Sequence, residues 1–377
     1  MGSSRQERHM REFPHLIKKA LLLADNAAKL TSPNPRVGCL IVESDGSILG
    51  QGHTQQAGGP HAEITALRDA ATRGNSVKGA TAYVTLEPCS HHGRTGPCCD
   101  ALIAAGIKKV VVSIQDPNPL VSGQGIARLR AAGIEVEVGP GAAESRELNI
   151  GFFSRMIRKT PWVRMKVAAS LDGTTALANG QSQWITSVEA RTDGHAWRAR
   201  SCAVLTGIGT VLQDNPRLDV RLVDTPRQPH LVVVDSRLET PLDAHLFIAG
   251  RGLFIYAAGQ NDAKKAALEA RGATVVYLPD ANGKVDLAAM MKDLARREIN
   301  ELHVEAGSKL NGSLIRAGLV DEFLIYLAPK LLGPGQGMAA FGPLQQLSEA
   351  VELQFLSADR VGSDLRVVAR GVGRDQF

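Results

Sequence analysis

Aromatic residues make up only 4% of this 377-residue chain, and it has just 5 cysteines, an odd and sparse count. So few cysteines exclude a disulfide scaffold and point to a reducing, cytoplasmic setting, where clustered cysteines are read as metal ligands or catalytic groups. Long apolar runs are also missing. The longest, such as Val37 to Val42 and Leu231 to Val234, fall far below the ~20 residues that a membrane-spanning helix needs. The first thirteen residues are polar and lack the apolar centre of a signal peptide, and residues 1–9 read as a cloning remnant to be left out of the fold. No basic run reaches the density of a nucleic-acid surface, although 43 basic against 38 acidic residues, net +5, suits small anionic molecules such as phosphates. What is present, 44% apolar and 21% charged residues with 38 glycines spread throughout, is the composition of a globular protein of two or three domains.

Helical spacing of Leu16, Ile17, Ala20, Leu21, Ala24, Ala27 and Ala28 predicts a helix from Pro14 to Leu30, broken by Pro33 and Pro35. A hairpin, Val37 to Val42 and Ser47 to Gly52 turned at Asp45-Gly46, is followed by alternating helices and strands up to Ile134–Val138. This alternation predicts an α/β layer sandwich. A single helix is expected over Ala142 to Arg158. At Lys159-Thr160-Pro161 a second alternating series begins with the strand Trp162 to Ala168 and runs through strands near Ala203, Leu231, Leu253, Thr274, Glu301 and Phe323. Two different domains are therefore expected, 10–158 and 159–377, with no internal repeat between them.

The most informative segment is His61-Ala62-Glu63, followed by Glu87-Pro88-Cys89 and Pro97-Cys98. It matches the zinc-deaminase pattern: one His and two Cys bind Zn²⁺, water takes the fourth position, and the Glu moves protons without binding metal. His61 and Cys98 both fall at predicted helix N-termini, where the helix dipole favours thiolate and anionic oxygen. Eight residues, Ser90 to Pro97, separate the two cysteines, in place of the two usual in nucleobase deaminases. The competing reading is a closed zinc knuckle with His91, His92 or Cys99 as fourth ligand, which leaves Glu63 without a role. Cys39 and Cys202 lie in predicted strands and read as core. His15, His195, His230, His245 and His303 are isolated and read as surface or packing residues.

With Glu87-Pro-Cys-Ser-His-His-Gly-Arg-Thr-Gly-Pro-Cys98-Cys, Gln115-Asp-Pro-Asn-Pro119, Lys166-Val-Ala-Ala-Ser-Leu-Asp-Gly173, Ser182-Gln-Trp-Ile-Thr186, Thr210-Val-Leu-Gln-Asp-Asn-Pro216 and Val304-Glu-Ala-Gly307 in order, the chain resembles the bifunctional deaminase/reductase family of riboflavin biosynthesis. The resemblance runs from about residue 11 to near the end. It implies a cytidine-deaminase-like three-layer α/β/α domain followed by a dihydrofolate-reductase-like α/β domain. The implied reactions are zinc-dependent hydrolytic deamination of a phosphoribosylaminopyrimidine and NADPH-dependent reduction of its ribosyl group to a ribityl chain. It further implies a cytoplasmic homo-oligomer, dimeric or larger, acting on a small molecule, with no nucleic-acid or membrane partner. In this frame His61, Cys89 and Cys98 hold zinc, Glu63 is the proton shuttle, and Asn34, His91, Arg94, Asp116 and Asn118 position the substrate. Relatives carry a His where this chain has Thr54. Strand alternation keeps the neighbouring His53 from replacing it, so a substrate contact at Thr54 is in doubt.

In the second half no Gly-x-Gly-x-x-Gly follows a strand, so a Rossmann cradle is not supported. Gly307-Ser308-Lys309-Leu310-Asn311-Gly312-Ser313 instead opens a helix just after a strand, offering free N–H groups to the phosphates of NADPH. The family resemblance adds cofactor contacts at Ala168, Trp184, Thr210, Asp214 and Ser236. It places Ser182, Arg198, Leu218, Arg221 and Glu305 on the substrate, with Lys166 nearby at a strand end. A nucleic-acid or nucleobase zinc deaminase with an accessory binding domain is the alternative, but single-strand binders interleave basic and aromatic residues, which this chain does not.

Overall fold

Alternation along the strand β1 (Gly38–Val42) puts Leu40 and Val42 on one face, where they meet Leu16, Ile17 and Ala20 of the helix α1 (15–25). The computed structural model describes residues 15–91, 96–119 and 121–377. They form two compact units, the first ending at Arg158 and the second spanning Lys159 to Phe377.

The first unit is built on a five-stranded sheet of order β2-β1-β3-β4-β5, adding β2 (Ile48–His53), β3 (Thr81–Val84), β4 (Lys109–Val112) and β5 (Glu135–Val138). The β2-β1-β3 part is antiparallel and the β3-β4-β5 part parallel. Helix α1 covers one face; α2 (Ala62–Thr72), α3 (Cys98–Ala104) and α4 (Gln124–Ala131) follow on the other, giving three layers. The layers approach closely where glycine lies between them. A Cβ at Gly38 would meet the Ala20 carbonyl oxygen at 1.9 Å, and one at Gly50 the Ala66 carbonyl oxygen at 2.3 Å.

Two expectations about this unit are corrected. The first helix ends at residue 25 and continues as turns to Leu30. The helix expected over Ala142 to Arg158 is two, α5 (Ala142–Leu148) and α6 (Ile150–Arg158). Asn149 interrupts it because its amide pairs with the backbone of Arg36, accepting from N–H at 2.7 Å and donating to C=O at 2.9 Å.

The second unit holds a nine-stranded sheet of order β11-β10-β9-β8-β12-β6-β13-β16-β15. Its strands are β6 (Trp162–Ser170), β8 (Ala203–Gly207), β9 (His230–Val234), β10 (Leu253–Ala257), β11 (Ala273–Tyr277), β12 (Glu301–Val304), β13 (Glu322–Ala328), β15 (Leu353–Val361) and β16 (Asp364–Gly371). Pairing is parallel from β11 to β13, and antiparallel from β13 through β16 to β15. A two-stranded ribbon joins β7 (Thr174–Leu177) and β14 (Gly335–Gly337). The sequence reading had not reached β7, β14 or the terminal hairpin β15/β16. Exposed residues on β15 hide the alternation by which a half-buried strand is recognised.

Helices lie on both faces: α7 (Val188–Arg200), α8 (Ile208–Asp214), α9 (Asp262–Ala270), α10 (Leu287–Arg296) and α11 (Ser308–Arg316). Val232 packs into the cluster with Met290, Met291 and Leu314, while its neighbours Leu231 and Val233 join Val211 and Leu268. This sheet, buried on both sides, explains the near-continuous apolar runs of its strands.

Candidate deaminase and reductase sites

His61 stands at the extended N-cap position of α2, Cys98 is the first residue of α3, and Cys89 lies on the loop after β3. The His61 Nδ1 is 3.6 Å from Cys89 Sγ and 3.2 Å from Cys98 Sγ, and the Cys98 N–H donates to Cys89 Sγ at 3.3 Å. These three ligand atoms lie within 4.8 Å of one another, the one such group of three or more among the described residues. One imidazole and two thiols converging at two helix starts fit zinc, with a fourth position left for a non-protein ligand. The hydrogen bond from Cys98, reinforced by His61, pulls the Cys89 thiol down to about 4 against the effect of burial. Cys98 is raised by the same hydrogen bond and by burial. The lowering at Cys89 favours the thiolate form, which is the form that binds metal.

Glu63, on the first turn of α2, is only 3% exposed. Burial, aided by the charge of Cys89, raises its carboxyl to about 7. A carboxyl so tuned can both hold and release a proton near neutrality. Asp116 follows β4 and is likewise raised to about 7 by burial and by the neighbouring Glu87 and Cys89. It accepts from the Asn118 N–H at 2.7 Å. Asn34 sits in a turn closed by its N–H on the Thr31 carbonyl at 2.8 Å, and His91 is exposed. Arg94 and His92 lie outside the described residues. Cys99 turns away from the trio, its thiol donating to the Pro88 carbonyl at 3.2 Å, which argues against a closed knuckle through that residue. The buried Thr54 hydroxyl donates to the Val37 carbonyl, 3.4 Å away. His53, on the opposite face of β2, places Nδ1 3.1 Å from the Thr54 carbonyl.

In the second unit a cleft of about 1130 Å³ opens where β8, β9 and β12 end, beside the Lys166–Ala168 part of β6. These four neighbouring parallel strands gather all the reductase-half candidates into one lining, Gly312 excepted. Gly312 is not itself in the lining but packs against Ala340, which is: a Cβ there would meet the Ala340 carbonyl oxygen at 2.1 Å, so the bare backbone is what lets α11 approach this closely. Gly307 caps α11 without a side chain, leaving the first-turn N–H groups beside the cleft. Lys166 is within β6, which continues to Ser170 and does not end at Ala168 as expected.

Arg198, on α7, is buried and grips Glu305 through two bonds of 2.8 and 2.9 Å. Burial alone would raise Glu305, but Arg198 and Lys166 hold its carboxyl well below the usual range. Burial in turn lowers Lys166. Two of the isolated histidines lie beside these charges. His195 accepts the Arg221 N–H at 3.1 Å, and burial followed by Arg198 pushes it down to about 4. His303 is fully buried with Nε2 3.4 Å from Glu305. Trp184 lines the cleft at 60% exposure, with the Arg191 guanidinium 4.5 Å over its ring. The sequence reading missed Arg217, Arg237 and Lys284 in the lining. Only Arg217 had a signal, lying directly after the quoted Asn215-Pro216.

Comparison with known proteins follows the same division. Residues 161–367 match the family model described as RibD C-terminal domain, and residues 10–114 match the cytidine and deoxycytidylate deaminase zinc-binding region. Riboflavin biosynthesis protein RibD of Escherichia coli strain K12 is 46% identical over 365 residues, covering 93% of this chain and 97% of that protein. The protein of the same name from Aquifex aeolicus is 41% identical over 349 residues, covering 93% and 96%. Among solved structures, Acinetobacter baumannii RibD, form 1, is 37% identical with a TM-score of 0.86, covering 96% of this chain and 99% of that one. A diaminohydroxyphosphoribosylaminopyrimidine deaminase/5-amino-6-(5-phosphoribosylamino)uracil reductase from Thermotoga maritima is 31% identical with a TM-score of 0.85, covering 96% and 99%. No helix among the described residues is long and apolar enough to cross a membrane.

Proposed function

The chain belongs to the RibD family, and from that premise we propose which residues carry each of its two reactions. It is a bifunctional enzyme of riboflavin biosynthesis, a zinc-binding deaminase joined to an NADPH-dependent reductase. Its substrates are those printed for its Thermotoga relative, the diaminohydroxyphosphoribosylaminopyrimidine and then the phosphoribosylaminouracil. The observation that carries this reading is the convergence of His61, Cys89 and Cys98 within 4.8 Å, with the buried, protonatable Glu63 beside them.

We assign His61, Cys89 and Cys98 as the zinc ligands. Bound zinc supplies the Lewis acidity that makes water a competent nucleophile near neutral pH. The Glu63 carboxylate takes a proton from water and, as the acid, gives one to the departing amino group. Its elevated value near 7 suits both steps. Asp116 and Asn118 orient the pyrimidine, with Asn34, His91 and Arg94 as further substrate contacts.

In the second unit NADPH supplies the hydride. The residues around it bind and orient. The start of α11, Gly307 to Ser313, receives the phosphates. Thr210, Asp214 and Ser236 hold the rest of the dinucleotide, and Ala168 and Trp184 flank the nicotinamide. Arg198, locked to Glu305, together with Lys166, Ser182, Leu218 and Arg221, holds the ribose-phosphate end of the substrate. An assembly of two or more copies in the cytoplasm fits the edge strand β15, where Phe355 is 76% exposed.

The test follows ammonia release and NADPH oxidation separately on the freshly generated diamino substrate. Ammonia without NADPH, and NADPH consumption only after deamination, is the expected order. Zinc-loaded protein giving neither signal overturns the substrate assignment.

A further inference from the structure

Glu87 lies between β3 and the metal-binding loop, two residues before Cys89, and is only 4% exposed. Its carboxylate accepts four backbone N–H groups. Oε2 takes those of Asp116 at 3.1 Å and Gly123 at 2.9 Å, and Oε1 takes those of Gly125 at 2.9 Å and Ile126 at 3.1 Å. Four bonds use the acceptor sites of an ionised carboxylate, so the group is spent on holding other segments and is not available as ligand or acid.

The donors belong to two segments, the loop after β4 that carries Asp116 and the start of α4. The Glu87 N–H also donates to the Ile114 carbonyl at 3.0 Å, tying the same residue to the strand that feeds that loop. Helix α4 sits directly on this corner. A Cβ at Gly125 would meet the Pro88 carbonyl oxygen at 2.0 Å, and the Cys99 thiol closes on that same oxygen. One side chain therefore joins the segment of a zinc ligand to the segment of a substrate contact, through charge-assisted bonds of the stronger kind.

We propose that Glu87 is a positioning residue of the deamination step: its carboxylate holds Asp116 at a fixed offset from Cys89, and so holds the pyrimidine at a fixed offset from the metal. This rests on the reading of Asp116 as a substrate contact. A mere helix cap would stabilise α4 without linking the two halves of the site.

The near-isosteric Glu87→Gln puts an amide N–H₂ against backbone donors and loses two of the four bonds. We expect the variant to keep about one zinc per chain, to raise the deaminase KM about tenfold or more with a smaller fall in kcat, and to reduce pre-deaminated substrate at the wild-type rate. Retained zinc reports that the first unit has folded, and the reductase reports the same of the second. Because Glu87 acts through Asp116, Glu87→Gln combined with Asp116→Asn should have a KM no higher than Asp116→Asn alone. Wild-type KM with zinc retained, or effects that multiply in the double variant, overturns the proposal. An Asp116→Asn variant with wild-type KM overturns the substrate-contact reading instead, whatever Glu87→Gln does. Should Glu87→Gln not fold, Glu87→Asp retains the charge and withdraws it by one methylene. Raised KM with zinc retained supports the proposal, and wild-type KM overturns it.

Discussion

The two sites of this chain are assembled at different ranges and with opposite charge. The metal site takes His61, Glu63, Cys89 and Cys98 from one stretch of the first unit, and His61, Cys89 and Cys98 are donors that a cation would unite. The cleft of the second unit draws on residues from Lys166 to Ala340, and Lys166, Arg198, Arg217 and Arg221 make it a place for anions. A site made from two helix starts can be read as a motif. A site made from four neighbouring strands exists only once the sheet has stacked.

The separation is broken most sharply by Cys98→Ser, which should lose zinc and deaminase activity together while leaving NADPH oxidation on pre-deaminated substrate intact. Metal analysis beside the two assays checks it, and a joint loss of both activities would contradict two independent sites. Next comes Glu63→Gln, expected to retain zinc and to slow ammonia release by about 10²–10⁴-fold, the range for a displaced general acid–base group. Deamination at the wild-type rate would remove Glu63 from the mechanism.

Arg198→Ala tests the other side. Glu305 would keep only Lys166 at 3.9 Å and His303 at 3.4 Å as cationic or titratable neighbours. A cost of about 3 kcal/mol to the second unit is expected, the lower end for a broken buried pair. The reductase KM should rise with it while ammonia release stays unchanged. Gly312→Ala sharpens the distinction between lining and packing: a Cβ against the Ala340 backbone should cost about 1–3 kcal/mol in denaturant unfolding without altering NADPH affinity. Weakened NADPH binding at unchanged stability would make Gly312 a direct cofactor contact instead.

The smallest effect concerns acid. His195 is pushed from its ordinary 6.5 down to about 4, so between these values the unfolded chain takes up a proton that the folded chain refuses. Its contribution to stability is complete above 6.5 and is lost as pH falls toward 4. Protonation also breaks the bond it accepts from Arg221. His195→Asn keeps an acceptor that does not titrate, so its Tm should fall less steeply over that window. Parallel Tm curves for the two proteins would sink the idea.

Much of the first site was legible because residue type and spacing alone announce it: a His, a Glu two places on, and two Cys near helix starts. Glu87 was visible in the same motif, yet nothing local shows that its partners are the N–H groups of residues 116 to 126. In the second unit the family motifs named residues that the strand ends do bring together. Burial of Arg198 and the buried His303 were not legible, because an isolated Arg or His carries the same local signal on a surface as in a core. The break at Asn149 was hidden for a related reason: its cause is a backbone pairing with Arg36, far away in the chain.

The sequence by itself determined the alternation of elements, the two-part organisation and the zinc-ligand set, since period, capping and donor chemistry are properties of neighbouring residues. Tertiary structure alone decided what Gly312 packs against, which arginines lose their water to a carboxylate, and how Glu87 joins the metal loop to the Asp116 loop. Those outcomes depend on burial and on hydrogen bonds between distant segments, and both are created only when the layers close.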